Sequence, residues 1–399
     1  MTFVIFQGDT LLCTYLMKKI ILPFLVLLIC LNSCKKEDFV PKDIVPFIDG
    51  DVPDDLKINQ IQYLGSHNSY RLKTNQELFD FITDLSNILP AEFNSIELDY
   101  EHLPLQTQLR NYGIRQLEID LYLDQQGGLF YSRRGNGFID QELESGIPEL
   151  LQPGIKVMHI PDVDYHAHQL TFIDNLKEIK TWSDRYPEHI PVFILIELKE
   201  TSIHSFLPTG GFAQTESWEN AAALASLESE ILAVFDREEI LLPDDVRGNY
   251  NTLNEAVLND NWPTIGESRG KVVFLHNNNN ITNIYTMGAP SLENKLLFTN
   301  GTPGDDDAAF VMSNQIESTF GEINILAEQG YLIRTRSDAG TYEARNNDYS
   351  KWTLALQSGA HFISTDYYKA DDRAGDGVWS SFMVQFNNGL YRPNPITGQ

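Results

Sequence analysis

Eight short apolar runs, each ending in polar or charged residues, limit what this chain can fold into. They are Ile61–Ser66, Arg115–Leu121, Ile155–Ile160, Val192–Leu198, Lys271–Leu275, Ala308–Met312, Tyr331–Thr335 and His361–Ser364. Runs of this length, rich in Val, Ile, Leu and Phe, suit strands covered on both faces. Helical or loop stretches separate them; the clearest helices fall in Trp218–Phe235 and Asn346–Gln357. Strand, crossover, strand predicts a parallel sheet, and eight repeats predict its closure. The expected fold is therefore α/β, a distorted (β/α)8 TIM-like barrel in a single domain over 56–399. No fixed short repeat supports a solenoid or propeller. In such a barrel the carboxyl ends of all strands open onto one face, so distant residues can surround one small volume. The long connections after the second and fourth runs belong to that face. The latter, Lys199 to Gly270, carries turn signals at Pro243-Asp244-Asp245 and Trp262-Pro263.

The N-terminus is not read as part of this fold. Lys18 and Lys19 follow Met17, then Ile20 to Leu31 is almost unbroken apolar sequence, closed by Leu31-Asn32-Ser33-Cys34. The run is shorter than the roughly 20 residues of a spanning helix. It ends in a small residue and Cys, as in a bacterial lipoprotein cleavage box, so 17–33 is expected to be a signal peptide and Cys34 the lipidated first residue. Residues 1–16 read as an overrun ahead of a better start at Met17, and 34–55, mixing Pro, Asp and Lys, as a tether. The expected product is exported and membrane-anchored, in the periplasm or at the cell surface. All three cysteines, Cys13, Cys30 and Cys34, lie at or before the cleavage point. No disulfide framework is left, and the domain must rely on its core.

With 29 Lys and Arg against 56 Asp and Glu, the net charge is -27. Nucleic acid is excluded as a partner, since binding a polyanion relies on basic side chains, and general adsorption to anionic lipid is disfavoured. An anionic substrate must meet a local positive centre, either a bound cation or a few converging Arg and Lys.

The strand ends carry the chemistry. Gly65-Ser66-His67-Asn68 leaves the first run with an imidazole beside an amide, so one can face a reacting phosphate while the other offers a carbonyl oxygen to a cation. Glu118 and Asp120 are two apart in a strand and project to the same side of an otherwise apolar segment. Two adjacent carboxylates repel unless a cation lies between them, one takes a proton, or each pairs with a basic group such as Arg115. A Ca2+ site, with six to eight oxygen ligands in irregular geometry, explains the pair directly. Glu197 ends the very apolar Phe193–Ile196 and needs a partner, either that cation or Lys199. His159 sets a second imidazole at a strand end, fit for acid catalysis near neutral pH. Zinc is disfavoured by the oxygen-rich set and the absence of His-Glu-x-x-His. His166 and His168 read as surface residues.

Together, Gly65–Tyr70, Gln116–Asp120, Val157–His159 and Ile196–Lys199 resemble the calcium-dependent, phosphatidylinositol-specific phospholipase C family of secreted bacterial enzymes. The resemblance continues through Pro243–Gly248, Trp262-Pro263, Ile333–Asp338, Ser358–Ala360 and Ser364–Tyr367. It implies Ca2+ held by Asn68, Glu118, Asp120 and Glu197, and attack of the inositol 2-hydroxyl on phosphorus with release of diacylglycerol and an inositol phosphate, cyclic or opened. His67 would stabilise charge on phosphorus, His159 would protonate the leaving oxygen, and Glu118 or Glu197 would accept the proton. Phosphatidylinositol or a related inositol phospholipid at a membrane surface is the implied partner, and a monomer is expected.

Headgroup contacts are expected from Lys199, Arg334 and Arg336, since Arg suits bidentate phosphate recognition. Arg336 with Asp338 forms either a substrate contact or an ion pair bracing the strand. Tyr367 either stacks on inositol or packs in the core, and Trp379, Phe382 and Phe386 either touch lipid or do the same. Two other functions fit the sequence less well. A glycerophosphodiester phosphodiesterase shares the barrel and a Glu-x-Asp pair but usually opens with His-Arg, where this chain has His67-Asn68. A noncatalytic ligand-binding surface lipoprotein leaves the polar set without a purpose.

Overall fold

Strands β1 (Ile61–Ser66), β2 (Ile114–Tyr122) and β4 (Val192–Leu198) occur where the apolar runs place them, with a two-residue strand, β3 (Lys156–Val157), between the last two in sequence. After them come β5 (Val272–His276), β6 (Leu297–Thr299), β7 (Phe310–Met312), β8 (Leu332–Arg336), β9 (Phe362–Thr365) and β10 (Tyr391–Pro393). The structure is a computed structural model and describes residues 49–85, 94–387 and 389–398. The proposed leader and Cys34 lie outside them.

Eight strands run parallel in the order β6-β5-β4-β2-β1-β9-β8-β7. A single parallel bridge from Asn300, just past β6, to Phe310 in β7 completes the circle. This is the distorted (β/α)8 barrel expected, weakest at that seam, where three-residue strands meet. Antiparallel β10 pairs with the start of β1, opposite the face onto which the strands' carboxyl ends open. Tyr63, Phe193, Phe310 and Phe362 come from four strands and pack ring against ring, with centroids of successive pairs 4.5 to 6.2 Å apart. They fill the barrel interior with apolar surface, so it is a core and not a pore. Among the described residues, no helix is long and apolar enough to cross a membrane.

Three expectations are corrected. Ile155–Ile160 is not a barrel stave. Only Lys156 and Val157 are extended, and they pair antiparallel with the end of β2. β2 and β4 are in continuous parallel register from Gln116–Phe193 to Leu121–Leu198, which leaves no gap for another strand. The missing stave is β6, whose run is too short to stand out. The helix predicted over Asn346–Gln357 starts only at Ser350, because Asn346 ends a separate helix, Tyr342–Asn346, and Asn347 takes a left-handed φ of 53°. Finally, the end of the predicted tether is docked. Asp49 binds Arg115 at 2.5 and 3.0 Å, Val52 is buried, and Arg269 donates to the carbonyls of Asp49 and Val52.

Candidate active site

At the carboxyl end of β1, a turn fixed by its own serines presents His67 and Asn68. Ser66 Oγ bonds Ser69 Oγ at 2.6 Å and donates to Gln108 Oε1 at 2.7 Å, while Ser69 and Glu118 exchange bonds at 2.8 Å that tie the turn to β2. Asn68 has φ 47°, a left-handed conformation that Asn tolerates better than most residues. The apolar alternation of β2 sends Glu118 and Asp120 into the barrel mouth, where Asp120 lies beside Glu197 in the β2–β4 register. Glu118, Asp120 and Glu197 each bring a carboxylate oxygen within 4.8 Å of the other two.

The electrostatics of this cluster favour a cation. Burial, then Glu197 and Glu118, push Asp120 well above the usual carboxylate range, against the pull of Lys199. Both Asp120 oxygens and Asn68 Oδ1 are buried without a hydrogen-bond partner. Buried oxygens are rarely left so, and the three converging carboxylates are hard donors of the kind a Ca2+ site uses. Two resident cations neutralise part of the charge. Lys199 Nζ lies 3.1 Å from Glu197 and 3.6 Å from Asp120, and Arg334 Nη2 donates to Glu118 Oε2 at 2.5 Å. The sequence proposed Arg115 for such pairing, but Arg115 points to the other end of the barrel, toward Asp49.

Each imidazole is clamped by a buried aspartate. His67 Nδ1 lies 2.8 Å from Asp366 Oδ1, and Arg336 bridges the pair, 2.8 Å from Asp366 Oδ2 and 3.3 Å from His67 Nε2. His159 Nδ1 lies 2.8 Å from Asp164 Oδ2, and fully buried Arg71 holds Asp164 through three contacts of 2.8 to 3.2 Å. Burial alone would raise both aspartates; Arg71 and His159 hold Asp164 below the usual range, and His67 and Arg336 do the same for Asp366. Burial lowers His159 below an ordinary histidine, opposed by Asp164. Both imidazoles are close enough to Glu197 to help depress its carboxyl, with Lys199 the larger influence, although burial acts the other way. His159 and Glu197 line one cavity, and His67 lies close enough to Glu197 to act on its charge. His159 enters that cavity from the segment after β3, not from a stave end.

A cavity of about 360 Å3 opens on the His159 side, lined by Tyr122, His159, Glu197, Lys199, Asn278 and Asn280. A smaller one, about 140 Å3, opens on the Asp366 side, lined among others by Lys73, Tyr100, Asp366 and Tyr367.

Two expected substrate contacts are set back from this space, and a third, Tyr367, only edges the smaller cavity. Arg334 is buried on Glu118, Asn314 and Ser364. Asp338 is fully buried and accepts from Ser337, Thr365 and the Asp366 amide, so it pairs neither with ligand nor with Arg336; burial and Asp366 raise it to about 6. Tyr367 is 3% exposed, with its ring near Trp379 and Phe382. Trp379 and Phe382 are core as well. His168 is half-buried and bonds the His102 carbonyl, and His166 stacks on Tyr165. Sequence reading missed Asp164, Asp366, Arg71 and Tyr100 as parts of the site. The signal for the first two was a carboxylate near each histidine or strand end, in Asp162-Val163-Asp164 and Thr365-Asp366.

The family model for Ca2+-dependent phosphoinositide phospholipase C matches residues 56–395. Among solved structures, the chain is similar to a calcium-dependent phosphoinositol-specific phospholipase C from Pseudomonas sp. The two are 14% identical with a TM-score of 0.50, covering 87% of this chain and 98% of that one. It is also similar to a Ca2+-dependent phosphatidylinositol-specific phospholipase C from Streptomyces antibioticus, at 15% identity and a TM-score of 0.47 over 78% and 95% of the two chains. No curated protein matches.

Proposed function

Because this chain belongs to the Ca2+-dependent phosphoinositide phospholipase C family, we propose that it cleaves phosphatidylinositol to diacylglycerol and an inositol phosphate by the steps its own side chains favour. The observation that carries this reading is the pair of aspartate-clamped histidines facing one oxygen-rich cluster. Ca2+ bound by Asn68, Glu118, Asp120 and Glu197 would neutralise phosphoryl charge and acidify the inositol 2-hydroxyl.

The chain's residues supply the rest. Glu197, with 29% of its side chain exposed on the larger cavity, accepts the 2-hydroxyl proton as that oxygen bonds to phosphorus; Glu118 is taken up by Arg334. His67 and Arg336 face the phosphoryl oxygens, and Asp366 keeps both in place. His159 delivers its Nε2 proton to the departing glycerol oxygen as the P–O bond breaks, its Nδ1 being held by Asp164. An arriving phosphodiester anion favours the imidazolium that burial disfavours. Lys199 is positioned to move from Glu197 to the phosphate. The leader-like 17–33 followed by Cys34 supports an exported, membrane-tethered protein.

The test is product analysis. Purified protein with Ca2+ should release water-soluble inositol phosphate and an equal amount of diacylglycerol from phosphatidylinositol vesicles, and leave glycerophosphoinositol nearly untouched. Preferential turnover of glycerophosphoinositol would instead identify a glycerophosphodiester phosphodiesterase.

A further inference from the structure

Tyr100 is buried beside the site and belongs to none of the roles above. Its hydroxyl accepts from Asn68 Nδ2 at 3.1 Å and lies 3.2 Å from His67 Nδ1. Its ring stacks on His67 and carries the Arg71 guanidinium 4.4 Å from its centroid. Arg71 also donates to the Tyr100 carbonyl at 2.5 Å, so both ring and backbone are fixed by the arginine that secures Asp164.

An Asn amide has two faces that differ only in which end carries the oxygen, and a cation site needs the oxygen. We propose that Tyr100 is a positioning residue that selects the Asn68 orientation in which Oδ1 faces the carboxylates. A tyrosine hydroxyl has one hydrogen. Asp366 only accepts and Arg336 only donates, so His67 carries its hydrogen on Nδ1 and offers the hydroxyl no acceptor; the hydroxyl meets both His67 and Asn68 through its oxygen. The hydroxyl oxygen is then an acceptor, and it takes the Nδ2 end of the amide. Oδ1, buried and without a partner, is left for the cation. Without the hydroxyl, the amide would lose the bond that distinguishes its two ends.

This inference rests on the calcium reading of the site, and the test separates the two. Ca2+ alone is titrated into the purified full chain by calorimetry, for wild type, Tyr100→Phe, Asn68→Asp and the double variant. Phenylalanine keeps the ring, its stacking on His67 and the contact with Arg71. Aspartate tolerates the left-handed backbone and offers oxygen at both ends, so it needs no orientation. Tyr100→Phe should weaken Ca2+ binding about threefold to tenfold, in line with the loss of one hydrogen bond. The same change should have no effect in the Asn68→Asp background. Equal affinity for wild type and Tyr100→Phe overturns the proposal, as does an equal loss in both backgrounds, which would assign Tyr100 to packing. A wild-type chain that binds no Ca2+ overturns the calcium reading along with it.

Discussion

At the scale of single residues, the account assigns different work to two histidines held in similar ways. If His159 is the acid, it matters in proportion to how badly the leaving group needs a proton. His159→Gln should lower kcat on phosphatidylinositol by about 10² to 10⁴ while leaving Ca2+ affinity near wild type. On an inositol phosphate ester with a nitrophenol leaving group, which departs without protonation, most of that loss should vanish. Kinetics on both substrates check this, and equal losses would rule out the acid role. Both histidines and the four oxygen-bearing residues beside them, Asn68, Glu118, Asp120 and Glu197, were legible in the sequence because strand ends expose a polar residue against an apolar background. Their aspartates were not. Asp366 lies 299 positions from His67, and only closure of the barrel pairs them. Arg334, expected on the headgroup, is instead buried on Glu118, and the choice left open for Tyr367 could not be made in sequence, because a charge or ring at a strand end looks the same there whether it faces substrate or is buried behind it.

At the scale of elements, seven of the eight apolar runs became barrel strands, and the exception is instructive. Ile155–Ile160 has the composition of a stave, but composition does not report which strand edges are already taken, and β2 and β4 pair with each other. The resulting flap brings His159 over the barrel mouth, so the residue was singled out although its element was not. Gly65, within β1, shows how tightly these elements meet. A Cβ there would lie 2.1 Å from Gln116 Oε1 and 3.1 Å from Gln116 Cβ. Gly65→Ala should therefore destabilise the fold by about 1–3 kcal/mol, the usual cost of overpacking. Denaturant midpoints would show this, and the double variant with Gln116→Ala should recover part of the loss. No recovery would place the strain elsewhere.

Across the whole molecule, buried histidines set the response to acid. His102, His189, His276 and His361 are all buried and lowered to about 4, chiefly by burial. His361 must be neutral, because Nδ1 accepts from the Ile333 amide while Nε2 donates to the Asn59 carbonyl. The unfolded chain binds protons near pH 6.5 and the folded chain only near 4, so their stabilisation is complete above about 6.5 and is lost as pH falls toward 4. Each such histidine is worth about 3 kcal/mol across that window. Asp164 and Asp366, with folded values below the usual range, keep their contribution until the pH falls below about 3.9. The denaturant midpoint should drop steeply between pH 7 and 5, and a flat profile would contradict the neutral assignments. Over the same molecule, an acidic protein is read as acting on an anionic lipid through a bound cation. The most direct measurement is inositol phosphate release from phosphatidylinositol vesicles, first in a Ca2+ chelator and then with Ca2+ restored. The account predicts that release is abolished by chelation and recovers when Ca2+ returns; undiminished release in the chelator would contradict it.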